Sequence, residues 1–220
     1  KAAPLLCKFP ATSYTVFSAF DFLNESRFCC CKSVPLIIYE INDSLTAGEI
    51  KLRLLKQYGE DTPVYCTENG ETIKILLYQI DRLSSYNERT CILLPPQKLL
   101  EQKRFDFADL ISLMEMLRGE GGCPWDRQQT HDSIKANAVE EAYELFEAIQ
   151  NNDAAAMEEE SGDLLLQTVF HANIADSCGE YDIYDVITSL CKKLIFRHSH
   201  IFGSDSAKIA SEALTAWEKN

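Results

Sequence analysis

The feature that most constrains this chain is a pair of acidic clusters in neighbouring helical segments. Residues 140–163 read EEAYELFEAIQNNDAAAMEEESGD, so Glu141/Glu144 and Glu160/Asp163 each sit three residues apart on either side of a short polar turn. Residues at that spacing lie on one face of a helix. Two such helices folded back on each other bring four carboxylates together, and clustered carboxylates repel unless a cation lies between them. The sequence therefore predicts a helical hairpin whose four carboxylates form a divalent-metal site.

One acidic pair alone is usually a solvated helix face, because glutamate is a good helix former. The second pair favours a site. Asp163 leads directly into the apolar run Leu164–Leu166, and Gly162 costs the helix about 1 kcal/mol relative to alanine, so a reason for it is expected. No lysine or arginine lies between Lys135 and Lys192 to neutralise the acids.

The chemistry of these side chains indicates which metal and which substrate they suit. All candidate ligands are hard oxygens, which favours Mg²⁺ or Mn²⁺ over zinc. Carboxylate sites that hold two irons carry a histidine three residues after a glutamate, and neither pair has one. Magnesium completes its shell with waters and phosphates, so a nucleotide or another polyphosphate is the predicted substrate class. The net charge of −13 argues against a nucleic-acid binder.

A basic cluster near the end of the chain has two interpretations. Lys193, Arg197 and His198 lie in the last turns of a predicted helix, with Lys193 and Arg197 four residues apart on one face. They either contact substrate phosphates or complement the helix dipole, which is common at helix C-termini. The sequence supports both equally.

An aromatic residue in a glycine-flanked loop also has two interpretations. Trp125 precedes Asp126 and Arg127 and follows Gly121-Gly122-Cys123-Pro124. In a nucleotide site these residues would bind substrate, with the indole ring stacked on a base. The alternative is an aromatic side chain that anchors its own loop.

The two halves of the chain differ in their patterns, which predicts an α+β protein: a small α/β domain over residues 1–98 and an all-α helical bundle over 105–220. A double proline and a polar run separate them. The first half contains apolar strand-like runs, one amphipathic helix and a turn signal. Its predicted strands cover residues 35–41, 63–67, 73–78 and 91–94, with a helix over 46–58 and a turn over 68–71.

The second half has apolar residues at helical spacing throughout. The predicted helices run from Phe107 to the glycines at 119–122, from about 130 to 151, from 153 to 178, from 182 to 198 and from 206 to 219. The third is apolar on more than one face, which indicates that neighbours or another subunit cover it.

Cysteine usage and hydropathy indicate a cytoplasmic protein that does not bind membranes. The nine cysteines are odd in number and irregularly spaced, which favours thiols in a reducing compartment over a disulfide framework. No apolar run is long enough to cross a bilayer, and the N-terminal residues lack the apolar core of a signal peptide.

Taken together, these residues resemble the MazG family of nucleotide pyrophosphohydrolases. The similarity covers about residues 105–220, and its combination of motifs is more specific than any one of them. The stretches that carry it are Leu117–Gly119, Gly121–Asp126, Gln129–His131, Glu140–Glu144, Glu160–Leu165, Lys193–Leu194 and Arg197–Gly203. The usual Arg-Arg-His-Pro-His run of the family is here Phe-Arg-His-Ser-His, from Phe196 to His200, which lacks one arginine and the proline.

The resemblance implies an all-α bundle, assembled as a homodimer, that hydrolyses nucleoside triphosphates to the monophosphate and pyrophosphate with Mg²⁺. It also implies that the metal role falls to Glu141, Glu144, Glu160 and Asp163. A carboxylate not saturated by metal, Glu140 or Glu144, would take the proton of the attacking water. The side chains of Lys193 and Arg197 would stabilise charge on the phosphates.

The first half resembles the C-terminal part of a tetrapyrrole methylase, through Ile38–Glu40, Ala47–Leu52 and Thr62–Tyr65. The glycine-rich segments that bind S-adenosylmethionine in that family have no counterpart in this sequence, so we expect no methyl transfer from this chain alone. The alternative function is a non-catalytic module of a methylase–MazG fusion protein, which senses nucleotides or mediates dimerisation.

Overall fold

A computed structural model of the chain describes residues 11–25 and 31–203. The chain divides into two compact units, residues 1–110 and 111–220. Within the described ranges, no helix has the length and apolar character needed to span a membrane. The predicted fifth helix, over 206–219, lies outside the described residues.

The first unit is built on one five-stranded sheet with the spatial order β1-β2-β5-β3-β4. Strands β1 and β2 pair in parallel, and the other three pairings are antiparallel. The elements are β1 Thr15–Ser18, α1 Ala19–Asn24, β2 Leu36–Tyr39, α2 Ser44–Leu54, β3 Pro63–Glu68, β4 Glu71–Leu76 and β5 Cys91–Leu94. Two short 3-10 turns, Leu77–Gln79 and Leu99–Glu101, follow β4 and β5.

Alternation of side chains along the central strands produces two apolar faces. Ile38 packs into the main core with Phe22 and Ile50 of the two helices, whereas its neighbour Ile37 belongs to a smaller cluster with Leu93 on the other face. Strands that bury both faces are apolar at every position, which explains why β2 and β5 read as continuous hydrophobic runs.

The structure contains the four predicted strands with shifted bounds, and it adds β1 and α1, which were not predicted. The turn signal at 68–71 is the tight hairpin between β3 and β4, where Asn69 and Gly70 both adopt positive φ. The predicted helix over 46–58 instead begins at Ser44, capped by the Asp43 carboxylate, and ends at Leu54. A buried Tyr58 then anchors the following turn.

A buried lysine fixes the polar segment that follows the sheet. The side chain of Lys32 is 2% exposed, and its Nζ lies 2.8 Å from the Asp109 carboxylate and 3.3 Å from that of Asp106. It also donates hydrogen bonds to the Gln102 side chain and the Arg104 carbonyl. These contacts satisfy the ammonium group, which is the condition for burying a charge.

The second unit is helical, as predicted. Its elements are α3 Phe107–Arg118 (which begins in the first unit), α4 Pro124–Gln128, α5 His131–Ile134, α6 Asn137–Asn151, α7 Ala154–Ser177, α8 Ile183–Arg197 and α9 Ser199–Phe202. The helix predicted over 130–151 is interrupted at Lys135 and Ala136, although both keep right-handed helical backbone angles. The one-turn helix α9 was not predicted, and α4 lies where the sequence predicted a loop.

The α6–α7 hairpin is formed by local capping. Helix α6 ends at Asn152, which adopts the left-handed conformation typical of a helix C-terminus. The next residue, Asp153, caps α7 by accepting hydrogen bonds from the backbone N–H groups of Ala155 and Ala156. The chain therefore reverses within two residues, and α6 packs against α7 along its length.

Candidate metal centre

The α6–α7 hairpin brings together acidic residues from both predicted pairs. Glu141 and Glu144 lie one turn apart on α6, and Glu160 lies on α7 opposite them. One carboxylate oxygen from each of the three lies within 4.8 Å of the others. The carboxyls of Glu141 and Glu160 belong to half-buried residues, and Glu144 is exposed at the open side. This arrangement offers three hard oxygen ligands around one point, which suits Mg²⁺ or Mn²⁺.

Desolvation and mutual repulsion both raise the pKa values of Glu141 and Glu160. Desolvation, followed by the charges of Asp163, Glu144 and Glu140, raises the pKa of Glu141 above its ordinary value. Desolvation, followed by the charges of its acidic neighbours, also raises the pKa of Glu160. The cluster therefore carries excess negative charge, which a divalent cation would relieve.

Asp163 and Glu140 border this group of three. Asp163 is half-buried on α7, three residues beyond Glu160, and its charge acts on both Glu141 and Glu160. Glu140 is exposed, and its charge acts on Glu141. Both residues are therefore close enough to the three acids to influence them, and their predicted roles as metal ligand and proton acceptor stay predictions.

The predicted phosphate-binding residues lie on another helix, α8. Lys193 lines a groove with Tyr181, Asp185 and Leu190 among others. Arg197 is the last residue of α8, and the ring of His198 contacts the Leu194 carbonyl through Nδ1 at 2.7 Å. A contact of this kind at a helix C-terminus is compatible with both interpretations of the basic cluster.

Trp125, predicted to lie in a loop, lies in the short helix α4, which follows a tight turn after α3. A Cβ on Gly122 would overlap the carbonyl oxygens of Met116 and Leu117, so only glycine allows this tight return from α3. Arg118 donates hydrogen bonds to the backbone carbonyl of Asp126 and, at 2.7 Å, to Asn173 of α7. The Trp125 side chain itself is 60% exposed, which leaves the ring accessible to a ligand. Arg127 is exposed as well.

Two polar features of α7 were not predicted as parts of a site. The ring of His171, interpreted from the sequence as a packing residue, stacks on that of His131, and their Nδ1 atoms lie 2.7 Å apart. Gln167 is buried although its side-chain oxygen accepts no hydrogen bond from any described residue. The spacing could have indicated Gln167, since it lies four residues after Asp163 inside an otherwise apolar run.

Comparison with known proteins shows what the helical segment is similar to. Residues 129–202 match the model of the MazG nucleotide pyrophosphohydrolase domain. The match includes all four predicted metal ligands and the α8 cations. Among curated relatives, the nucleoside triphosphate pyrophosphohydrolase/pyrophosphatase MazG of Thermotoga maritima is 55% identical over 97 residues, 44% of this chain and 38% of that protein. The nucleoside triphosphate pyrophosphohydrolase of Escherichia coli is 41% identical over 111 residues, 50% of this chain and 42% of that protein.

A longer similarity reaches into the first unit. The uncharacterized protein YabN of Bacillus subtilis is 38% identical over 188 residues, which is 83% of this chain and 38% of that protein. The chain thus spans about two fifths of the length of these relatives. The crystal structure of a mazG-related protein from Thermotoga maritima is 26% identical with a TM-score of 0.43, and covers 51% of this chain and 96% of that chain. The family match and the named relatives support a MazG domain in the second unit.

Proposed function

We propose that this chain is a Mg²⁺-dependent nucleoside triphosphate pyrophosphohydrolase that releases the nucleoside monophosphate and pyrophosphate. The observation that carries the proposal is the convergence of Glu141, Glu144 and Glu160 within 4.8 Å, in a segment that matches the MazG domain. Several relatives of that segment are named for this activity. Mn²⁺ would serve in place of Mg²⁺, since both prefer oxygen ligands.

The acidic residues would hold the ion and handle the proton. Glu141, Glu144, Glu160 and Asp163 would be its ligands. When bound, the ion neutralises phosphate charge and lowers the pKa of a bound water. Glu140, or Glu144 where it is not saturated by metal, would accept the proton of the water that attacks the α-phosphorus. The bond from the α-phosphorus to the bridging oxygen would break, and pyrophosphate would leave.

The remaining predicted residues would bind the nucleotide. Lys193, Arg197 and His198 would contact the phosphates and stabilise their developing charge. Trp125 would stack on the base through its accessible indole ring, with Asp126 and Arg127 beside it. Gly122 and Arg118 fix the position of α4, which carries Trp125. This supports the role, because a pre-formed segment loses less entropy on binding.

Exposed apolar side chains in the second unit support assembly as a homodimer. On α6 they recur at helical spacing, on the side away from the acids, and α8 and α9 carry more. The set is Val139, Tyr143, Phe146, Ile149, Leu190, Leu194, Ile195, Phe196, Ile201 and Phe202. Apolar surface of this extent is typical of an interface. Sedimentation of the wild-type chain as a monomer at micromolar concentration would contradict the dimer.

The activity is tested by a screen of standard and modified nucleoside triphosphates with Mg²⁺ and detection of pyrophosphate. We expect Glu144→Gln and Asp163→Asn to abolish product release while circular dichroism shows an intact fold. Glu147→Gln, on the same helix but off the acidic face, is the matched control and should keep wild-type activity. Unchanged release by Glu144→Gln would overturn the metal role. Calorimetric binding of Mg²⁺ and nucleotide without turnover would favour the non-catalytic module instead.

The resemblance of the first unit to the C-terminal part of a tetrapyrrole methylase remains a proposal. The alignment with YabN extends into this unit, which supports the view that the two units occur together in longer proteins. We expect calorimetry to detect no binding of S-adenosylmethionine by this chain, and measurable binding would revive methyl transfer as a function.

A further inference from the structure

Gln167 is a buried amide that lacks a hydrogen-bond partner for its oxygen. The residue is 7% exposed, and Oε1 is shielded from solvent without accepting a hydrogen bond from any residue that the structure describes. Burying an unpaired polar atom costs free energy, and such atoms in native proteins have a specific explanation. An apolar side chain of the same size would pack here without that cost, so the amide at this position calls for a ligand.

The position of Gln167 on α7 indicates where that ligand lies. It follows Glu160 by seven residues and Asp163 by four, so the three share one face of the helix. Helical side chains lean toward the N-terminus and cover the preceding turn. From this general geometry we expect the amide of Gln167 to lean toward the turn that carries Asp163.

No described residue donates a hydrogen bond to this oxygen, so a bound ligand is a natural source of the donor. No lysine or arginine occurs between Lys135 and Lys192 to supply one. The acidic group draws divalent cations, and Mg²⁺ keeps several of its waters when it binds to protein carboxylates. Those waters are hydrogen-bond donors polarised by the ion, and a neutral carbonyl oxygen accepts from them without adding more negative charge to the cluster.

We propose that Gln167 is a positioning residue of the acidic site, whose amide oxygen accepts a hydrogen bond from a water of the hydrated divalent ion. This inference rests on the proposed function, because it requires that the acids hold such an ion. Gln167 would not be a metal ligand itself. It would orient a bound water from a second layer around the ion, and residues in that layer commonly change metal affinity by about 10- to 100-fold.

The test compares Gln167→Met, which keeps the volume and removes the amide, with Asn173→Leu as a matched control. Asn173 lies on the same helix, but its side-chain oxygen is paired with Arg118 at 2.7 Å. Thermal unfolding is followed with and without Mn²⁺, and Mn²⁺ binding is measured by calorimetry on the full chain. We expect Gln167→Met to unfold at a higher temperature than wild type without metal, and to bind Mn²⁺ about tenfold more weakly. We expect Asn173→Leu to unfold at a lower temperature and to bind Mn²⁺ like wild type.

The outcomes separate this inference from the proposed function. Wild-type affinity for Mn²⁺ in Gln167→Met would overturn the inference and leave the metal site standing. A lower unfolding temperature of metal-free Gln167→Met would also overturn it, since the amide would then be paired in the free protein. Failure of the wild-type chain to bind Mn²⁺ or Mg²⁺ would overturn both. If the weakening appears only when a non-hydrolysable nucleotide is added, the donor is the nucleotide and the assignment to an ion-bound water is wrong.

Discussion

The Nδ1 atoms of His131 and His171 lie 2.7 Å apart, with their rings parallel and the ring centroids separated by 5.0 Å. One nitrogen must donate and the other accept, so at least one of the two rings is neutral when this bond exists. The contact joins the short helix α5 to the middle of α7. Because α5 leads into α6, the pair helps to fix where the helix bearing Glu141 begins.

Stability of the second unit should therefore depend on the protonation of His171. Burial, followed by the charge of His131, lowers the pKa of His171 below its ordinary value of 6.5. Because the pKa of His171 is lower in the folded state, His171 takes up its proton in the unfolded chain first as the pH falls. The contribution of neutral His171 to stability is thus complete above pH 6.5, and it is lost as the pH falls through the folded-state pKa of His171.

We expect His171→Asn to flatten the pH dependence of the unfolding temperature in that window, measured by circular dichroism. His198→Asn is the control, because the His198 ring contacts the Leu194 carbonyl and the His200 ring rather than His171, and it should keep the wild-type slope. An unchanged slope in His171→Asn would show that the histidine pair does not titrate with unfolding.

Arg118 connects three parts of the second unit. Its guanidinium donates to Asn173 and to the Asp126 carbonyl and lies 5.2 Å from the centroid of the Phe170 ring. Arg118→Lys keeps the charge but cannot make divergent bonds from one planar group. We expect a loss of about 1–3 kcal/mol in unfolding free energy and altered Trp125 fluorescence, recorded in a Trp217→Phe background. The exposed Arg127→Lys should change stability by less than about 0.5 kcal/mol. Equal effects of the two substitutions would contradict a bridging role.

The sequence predicted the parts of this molecule that depend on local rules. Helical spacing and the short polar turn between the two acidic pairs were sufficient to predict the hairpin, and the hairpin is what brings Glu141 near Glu160. The contacts that sequence reasoning missed depend on distant partners. His131 and His171 are forty positions apart in the sequence, and Lys32 and Asp109 are seventy-seven apart. No periodic pattern in the sequence can indicate contacts at these separations.

Removal of the buried Lys32 ammonium should destabilise the first unit strongly. Lys32→Met leaves Asp106 and Asp109 without their cation, and breaking one side of a buried ion pair costs about 3 kcal/mol or more. Burial raises the pKa of Asp109, but its bonds to Lys32 and its neighbours outweigh that effect and lower the pKa below 3.8. The contribution of the Lys32–Asp109 ion pair to stability is therefore complete above pH 3.8, and it is lost as the pH falls through the folded-state pKa of Asp109.

Urea unfolding of Lys32→Met and wild type at neutral and acidic pH checks this expectation. The difference in unfolding free energy between Lys32→Met and wild type should become smaller as the pH falls. Lys98→Met is the control, since Lys98 pairs with Glu101 at the exposed surface and should contribute less than about 1 kcal/mol. A neutral effect of Lys32→Met at pH 7 would show that apolar packing replaces the ion pair without loss.

Charge repulsion in the acidic group should make the metal-free protein more stable when one acid is removed. The raised pKa of Glu141 means that its ionised form is disfavoured in the folded state. The resulting loss of stability is absent below pH 4.5, the ordinary pKa, and develops as the pH rises through the folded-state pKa. We expect Glu141→Gln to raise the unfolding temperature without metal at pH 7, and to show no gain at pH 4. With saturating Mn²⁺ the wild type should unfold at a higher temperature than Glu141→Gln, because the wild type gains the free energy of ion binding. Glu147→Gln should follow the wild type under all these conditions. A destabilised Glu141→Gln in the absence of metal would show that the acids are not in electrostatic conflict, which would remove the physical reason for an ion between them.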